Sequence, residues 1–517
     1  MARRYMWPPR HICVAVIPLL ISMAADAWAQ GSRGQTATQP TSMPLSGRAT
    51  QAGSVVVTEA PVTGTTTSVN TLNPVVQVQG SFGGSTPGAA GRPFSGTLSL
   101  PDALQRGLEY NLGAVNLTQV IKQARGQLAV ARSALLPSVA GDATGTREEV
   151  NLAALGVNFA LPSGFASSGV VGPFNVVDFR ARLTQSVLDL TALNNYRAAT
   201  STVRATELTV EDTRDLIVLA VGGAYLQVTT ARARVESGRA QLDTANALYQ
   251  QSAERRAVGL TAQVDVDRSQ VQALTQQQRL ISLQNDLAKQ KINLARMVGL
   301  PPTDQYEVGA DVSFSAAPAL NLEDALRQAR EHRADVKAAA AHVEAAEQAL
   351  VAARAQRLPS VLVNADYGAI GNTPADARRT FTVVGAVHVP LWEGGRTNGQ
   401  IMQAEAAVGQ RRAEMEDLSA QIEADARKAY LDLQAATTQV DLANKSRQVA
   451  KEALDLTRQR FDAGVSDSVE VIQAQEALAN AELDYINSVF AHNVAKLSLA
   501  RAIGQTAERL PDLLNVR

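Results

Sequence analysis

The spacing of apolar positions along the chain changes from helical to strand-like and back, and it does so twice. Residues 101–134 repeat small and apolar side chains at helical spacing for about 33 residues, with Pro101 suited to a first helical turn. A longer helical pattern fills roughly 191–257, and a third covers 262–297. The second half of the chain repeats the series as 322–357, 396–461 and 467–502. In each half the two shorter helices together equal the long one, which spans roughly 100 Å at about 1.5 Å per residue. The simplest packing lays the two short helices end to end beside the long one. A seam is legible in Met415, Leu418, Ile422, Ala426, Ala429, Leu433, Ala436 and Val440, spaced three or four apart with charges between them. That is coiled-coil spacing with small residues allowing close approach.

Between the first short helix and the long one the period becomes two. Val361, Val363, Ala365, Tyr367 and Ala369 alternate with Leu362, Asn364, Asp366 and Gly368, and Phe381, Val383, Gly385, Val387 and Val389 form a second alternating run. In the first half Val177, Phe179, Ala181 and Leu183 alternate with Asp178, Arg180, Arg182 and Thr184, while 139–146 alternates weakly. Pro137, Pro359 and Pro390 stand where one period gives way to the other. The chain is therefore expected to hold four strands of about ten residues, long enough to cross a bilayer when tilted. One face is apolar; the other carries Asp178, Arg180 and Arg182, read as lumen-facing or, alternatively, as solvated edge residues. Four strands cannot close a barrel, and open edges are not tolerated in lipid, so several chains would have to combine. The alternative is a soluble hairpin packed on the helices.

The two halves are related in sequence. Leu98-Ser99-Leu100-Pro101-Asp102-Ala103-Leu104 recurs as Leu320-Asn321-Leu322-Glu323-Asp324-Ala325-Leu326, and Leu136-Pro137-Ser138-Val139 as Leu358-Pro359-Ser360-Val361, both 222 residues on. Ala224-Tyr225-Leu226 matches Ala429-Tyr430-Leu431, and Gly259 matches Gly464, both 205 residues on. The drop of 17 places an insertion between the strands of the first half, at 148–174. Two fixed registers indicate an internal duplication. Gly259 and Gly464 each end a long helix and precede another, so each reads as the tip of a helical hairpin. Ser466 or Asp467 can cap the helix after Gly464, with Glu470 completing a capping-box-like pair.

Composition narrows the setting. Arg3, Arg4 and Arg10 precede an apolar run and Ala27-Trp28-Ala29 offers a small-x-small site, the marks of a secretory signal peptide cleaved after Ala29. The only cysteine, Cys13, lies inside that peptide, which removes disulfides, thiolate chemistry and cysteine–metal sites from the mature chain. A net charge of −1 with no basic block gives no nucleic-acid signature. No mature segment approaches 18 uncharged apolar residues, so spanning helices are not expected, whereas spanning strands leave a weaker signal. Residues 30–95 are Gly/Ser/Thr/Pro-rich with few charges and read as a flexible tail in which Val55-Val56-Val57 and Val75-Val76 could pair locally. The histidines are scattered, and no phosphate loop, nucleophile elbow or metal-ligand spacing occurs, so no catalytic, cofactor or metal residue is expected. Tyr225 and Tyr430 read as helix-packing residues.

The duplicated helix–strand–strand–helix–helix order, the paired Leu-Pro-Ser strand entries and the paired glycine tips resemble the TolC-like outer membrane efflux protein family over roughly 96–504. The resemblance divides the chain into a signal peptide (1–29), a tail (30–95), a first efflux repeat (96–307), a second (318–504) and a C-terminal tail (505–517). It implies a mainly α fold in which a long coiled-coil helical barrel continues into a transmembrane β-barrel completed by trimerisation. The homotrimer would sit in outer-membrane lipid with a long periplasmic extension. It would serve as the exit duct of a tripartite efflux or type I secretion system, with a periplasmic adaptor and an inner-membrane pump such as a resistance-nodulation-division or ABC transporter as partners. Carried over by position, Gly259, Leu260, Thr261, Gly464, Val465 and Ser466 correspond to adaptor-contacting tips. Asp265 and Glu470 correspond to acids just inside the tunnel mouth, otherwise readable as ordinary first-turn acids favoured by the helix dipole. Gln473 stands where the family often has a further acid, and Phe461 where a hydroxyl-bearing aromatic often latches the closed tip; both are counted with the periplasmic gate. The reading from another class is a soluble periplasmic coiled-coil scaffold or adaptor, which would need no detergent.

Overall fold

A computed structural model describes residues 54–59, 74–86, 96–151, 154, 170–301, 306–309, 314–316 and 320–506. The chain divides between residues 51 and 52, and every described residue belongs to the second unit. The signal-peptide reading therefore falls outside the described residues, as does most of the tail.

Two long helices organise the unit: α3 (Leu190–Ala257, 68 residues) and α7 (Arg396–Asp462, 67 residues). The N-terminal strands β1 (Val55–Glu59) and β2 (Pro74–Val78) come first, then β3 (Gly96–Leu98), α1 (Leu100–Tyr110), α2 (Leu112–Ser133), β4 (Ser138–Asn151) and β5 (Val170–Leu188) before α3. After α3 follow α4 (Gln263–Met297), β6 (Tyr306–Val308), α5 (Leu322–His332), α6 (Ala334–Ala355), β7 (Ser360–Gly371) and β8 (Arg378–His388), then α7 and α8 (Ser468–Ala502). The order helix–helix–strand–strand–long helix–helix thus occurs twice. One part of α3 packs on α2 and α6, another on α4 and α8; α7 packs on α6 and α5 and on α8. The short helices do lie along the long ones.

Each first helix expected as one piece is two. Asn111 (ψ 135°) interrupts between α1 and α2, and Arg333 (ψ 124°) between α5 and α6. Asn111 is fully buried because its side chain replaces lost helix bonds: Oδ1 accepts from the Gly113 amide (2.9 Å), while Nδ2 donates to the Phe82 (2.8 Å) and Met297 (3.3 Å) carbonyls. At the second break the Arg333 guanidinium is paired with Asp335 at 2.6 Å. Helical periodicity runs through both breaks, so spacing alone hides them. The first-turn Pro101 stands as the sequence suggests, and Ser99 caps the helix, its Oγ accepting from the Asp102 amide (3.2 Å).

The four strands form one antiparallel sheet in the order β4-β5-β7-β8, so the second strand of one half pairs with the first strand of the other. β4 and β5, at 14 and 19 residues, exceed the expected ten. Their pairing continues beyond a register shift at Glu148/Val150 into the stretch read as insertion loop, because backbone pairing there does not need an alternating pattern.

The tail reading fails for the part that is described. β1 and β2 pair antiparallel, and Val55, Val76 and Phe82 are buried against α3. Three apolar side chains with a ready apolar surface suffice to order a segment that could not form a core by itself. The parallel pair β3–β6, whose three-residue strands carry no periodicity, was also not legible. The α3 stretch around Ile217–Leu226 holds an 18-residue window of mean hydropathy 1.3, apolar enough by composition to cross a membrane, contrary to expectation. It lies 72% buried inside the fold, which accounts for a helix apolar all round. Tyr225 is part of this core, its hydroxyl donating to the Leu98 carbonyl at 3.3 Å, and burial raises its pKa. Tyr430 packs partly buried on the α7 seam, whose Ile422, Ala426, Ala429, Leu433, Ala436 and Val440 are buried as spaced.

Candidate functional site

The tips close by the same backbone device. Gly259 (φ +78°) and Gly464 (φ +73°) are left-handed. The Leu260 amide donates back to the Arg255 carbonyl (2.8 Å) and the Val465 amide to the Arg460 carbonyl (2.9 Å), the six-to-one bond of a Schellman end. A β-carbon at either glycine would meet nothing within 4 Å, so only backbone conformation demands glycine there. Leu260 and Val465 are 77% and 70% exposed, an apolar pair without cover among the described residues. Of the two capping candidates, Asp467 accepts from the Val469 and Glu470 amides (3.1 and 3.2 Å), and Ser466 instead donates to Glu470 (2.8 Å). Thr261 lies beside Asp265, at the start of α4.

The residues read as a gate divide into two sets. Glu470 and Gln473 are exposed on α8, with Arg460 3.4 Å from Glu470. Asp265 is half-buried and joins two helix starts: Ser468 Oγ donates to its Oδ1 at 2.9 Å and Arg268 lies 3.6 Å away. Phe461, counted with the gate by position, lies inside the tip. It is 4% exposed, packed with Leu248, Leu454 and Val471, because its ring is the apolar plug between the two hairpins. Arg255, which the sequence reading missed, joins Phe461 from the other hairpin. Its guanidinium lies 4.3 Å over the Phe461 ring, donates to the Phe461 carbonyl (2.8 Å) and reaches the Asp462 carbonyl (3.2 Å). Gln251 donates to the Asp462 carboxylate at 2.6 Å. Arg255 and Arg256 stand in the last turn of α3, where basic residues are favoured by the helix dipole, so nothing local marks Arg255 out.

At the other end, the register fixes which side chains share a face of the sheet. Asp142, Asp178, Arg180, Arg182 and Asp366 lie on one face, since Arg180 pairs across from Asp142 and Gly368, and Arg182 from Asp366. Arg180 lies over Gly368, whose missing β-carbon would fall 2.4 Å from it, and reaches Asp366 at 2.6 Å and Asp178 at 3.0 Å. Arg182 is 3.3 Å from Asp142. The opposite face carries Val139, Phe179, Tyr367, Phe381, Val383 and Val387, all exposed, with Leu391 and Trp392 just beyond β8. Strands β4 and β8 have no partner on their outer sides among the described residues.

A sheet with one apolar and one charged face, carried on helical hairpins of this length, defines a channel protein of the outer membrane with a periplasmic helical extension. The model of the family "Outer membrane efflux protein" matches residues 115–300 and 325–505, and the chain belongs to that family. The chain is similar to outer membrane protein TolC of Escherichia coli (strain K12), 21% identical over 427 residues covering 78% of this chain and 84% of that one. It is also similar to the pyoverdine export outer membrane protein OpmQ of Pseudomonas aeruginosa, 23% identical over 423 residues covering 79% and 85%. In fold it is similar to the Campylobacter jejuni CmeC outer membrane channel (TM-score 0.68, 17% identity, covering 79% of this chain and 86% of that one). The Vibrio cholerae outer membrane protein VceC gives a TM-score of 0.66 at 22% identity, covering 78% and 96%. The protein is an outer-membrane exit duct of the efflux and secretion type.

Proposed function

We propose that three copies of the chain, each built of two tandem repeats (96–307 and 318–504), form a twelve-stranded transmembrane barrel continuous with a helical tunnel. The observation that carries this is the four-stranded sheet, apolar on one face and unpartnered at both edges, which lipid does not tolerate as a monomer. The helices support it independently. Among the described residues, α4 and α7 pack far less on each other than on α3 and α8, which makes them the outer members of the tip-bearing layer. Both expose apolar residues at heptad-related spacing. Leu274, Ile281 and Ile292 stand 11, 18 and 29 residues from the start of α4, and Val449, Leu442 and Leu431 stand 13, 20 and 31 from the end of α7. The stripes match in height to within two residues, as they must if α4 of one copy meets α7 of the next.

In this reading Asp178, Arg180 and Arg182 line the barrel lumen, their pairing leaving the wall nearly neutral. The exposed tips Gly259-Leu260-Thr261 and Gly464-Val465-Ser466 receive a periplasmic adaptor, which couples the duct to an inner-membrane pump of the resistance-nodulation-division or ABC type. Asp265, Glu470 and Gln473 line the closed mouth, with Phe461 as the plug behind them. An amide in place of an acid at Gln473 supplies hydrogen bonding without net field. Opening parts the α3–α4 hairpin from the α7–α8 hairpin, a change of packing that involves no catalytic step. The test is the native mass of the mature chain extracted from membranes in mild detergent. A trimer is expected; a monomer released without detergent would refute the barrel and favour a soluble scaffold.

A further inference from the structure

The two long helices differ in character across one stretch that matching residues flank. Ile217 and the run Ala224-Tyr225-Leu226 recur 205 residues on as Ile422 and Ala429-Tyr430-Leu431. Between them α3 reads Val218-Leu219-Ala220-Val221-Gly222-Gly223, whereas α7 reads Glu423-Ala424-Asp425-Ala426-Arg427-Lys428. The α7 stretch buries one side only, with Arg427 and Lys428 exposed; the α3 stretch is buried throughout. A second face of α3 must therefore be covered by something α7 lacks. The described N-terminal segments, 54–59 and 74–86, supply part of that cover.

Their seat is built to shape. A β-carbon on Gly223 would lie 2.5 Å from Val76 Cγ2 and 2.8 Å from its Cβ, so the strand can approach α3 only because that helix position is glycine. A β-carbon on Gly113 would likewise meet the Phe82 ring at 2.8 Å. The same segment is hydrogen-bonded to two helix ends. The Thr86 amide donates to the Tyr110 carbonyl (2.9 Å), and the Leu112 amide, freed by the break between α1 and α2, donates to the Gly84 carbonyl (2.9 Å). Ser85 Oγ donates to the Arg296 carbonyl near the end of α4. Asn111 joins both sides by donating to Phe82 and Met297.

We propose that this N-terminal arm is a built-in clip. It clamps α3 at Gly223, the α1–α2 break at Asn111 and the end of α4, and its seating holds α4, with the tip that α4 carries, in the closed arrangement. The last part rests on the duct reading above; the docking itself does not.

The test uses the full-length protein in detergent and compares Gly223→Ala and Ser85→Ala with the wild type by amide hydrogen exchange and single-channel conductance. Alanine for glycine inside an unencumbered helix favours the helix by roughly fivefold. Gly126→Ala in α2, where a β-carbon would meet nothing within 4 Å, is the control for that gain. Gly223→Ala is expected to have the opposite sign, with exchange about tenfold faster at Gln79, Thr86, Leu112 and 294–300, and with a larger closed-state conductance. Ser85→Ala, which leaves the packing untouched, is expected to move the same amides by a smaller factor. Slower exchange at 217–226 in Gly223→Ala, matching the control, would overturn the docking. Faster exchange of the arm with unchanged conductance in both variants would overturn its hold on the tip. Wild-type protein that formed no trimer would sink the duct reading while leaving the exchange comparison valid.

Discussion

Replacing Arg255 with methionine keeps the aliphatic stem but removes the guanidinium that bridges the two hairpins at the tip. The side chain makes charge-assisted bonds to the Phe461 and Asp462 carbonyls, lies 3.4 Å from the Asp462 carboxylate and stacks on the buried Phe461 ring. Hydrogen bonds involving a charged group contribute roughly 1.5–3 kcal/mol, and a cation over an aromatic ring about 0.5–1 kcal/mol. Arg255 is 23% exposed, so water recovers part of what is lost. A net change of about 2 kcal/mol follows, equivalent to roughly thirtyfold in the equilibrium between joined and parted hairpins. Asp265–Ser468 remains as a second tie, so the tip should loosen rather than unfold. Amide exchange of the Phe461–Glu470 region and single-channel conductance of the purified protein are the readouts. Exchange should rise by that order, and the channel should dwell longer in larger-conductance states. Unchanged exchange and conductance in a folded Arg255→Met protein would refute the assignment of Arg255 as the tie between hairpins.

Three further outcomes are expected. Gly464→Val places a β-branched residue at φ +73°, where a side chain costs roughly 1–2 kcal/mol or more; efflux should fall while trimer mass is unchanged, and normal drug resistance would contradict adaptor docking at this tip. Gln276 is buried between α3, α4 and α8, its amide oxygen without a hydrogen-bond partner among the described residues, beside a cavity of about 70 Å³. Gln276→Leu should therefore raise thermal stability by about 1–2 kcal/mol, and a lowered melting temperature would show that the amide is bonded in solution. His492 is fully buried against the Phe314 ring (4.8 Å), with Lys496 one turn on donating to Ser315 at 2.6 Å. Burial pulls the His492 pKa down to about 4, so the unfolded chain binds the proton first as pH falls. Stability should hold above about 6.5 and decline by roughly 3 kcal/mol between there and about 4. His492→Leu should flatten this decline in pH-dependent unfolding, and a slope unaltered by the substitution would assign it to other groups.

The residues of the candidate site were unequally legible. Gly259 and Gly464 could be placed because a left-handed helix end demands glycine whatever surrounds it, and Asp178, Arg180 and Arg182 could be put on one face because strands alternate strictly. Arg255 could not. Its partners are two backbone carbonyls and a ring more than 200 residues away, and nothing local distinguishes it from a basic residue at a helix terminus. Phe461 was placed at the tip correctly, but its burial depends on how two hairpins meet.

What the sequence determined by itself is what local physics repeats: helix lengths, strand faces, the paired tips, and an α7 seam whose spacing admits one buried side. What the tertiary structure decided is where one segment needs another. The breaks at Asn111 and Arg333 fall inside unbroken helical periodicity; at the first the distant Gly84 carbonyl takes the freed Leu112 amide, while at the second Arg333 pairs locally with Asp335. The strands β4 and β5 run past their alternating stretch because pairing, not pattern, sets their ends. The N-terminal arm, too poor in apolar residues to order alone, is ordered by the bare glycine surface of α3, a surface no window of its own sequence contains.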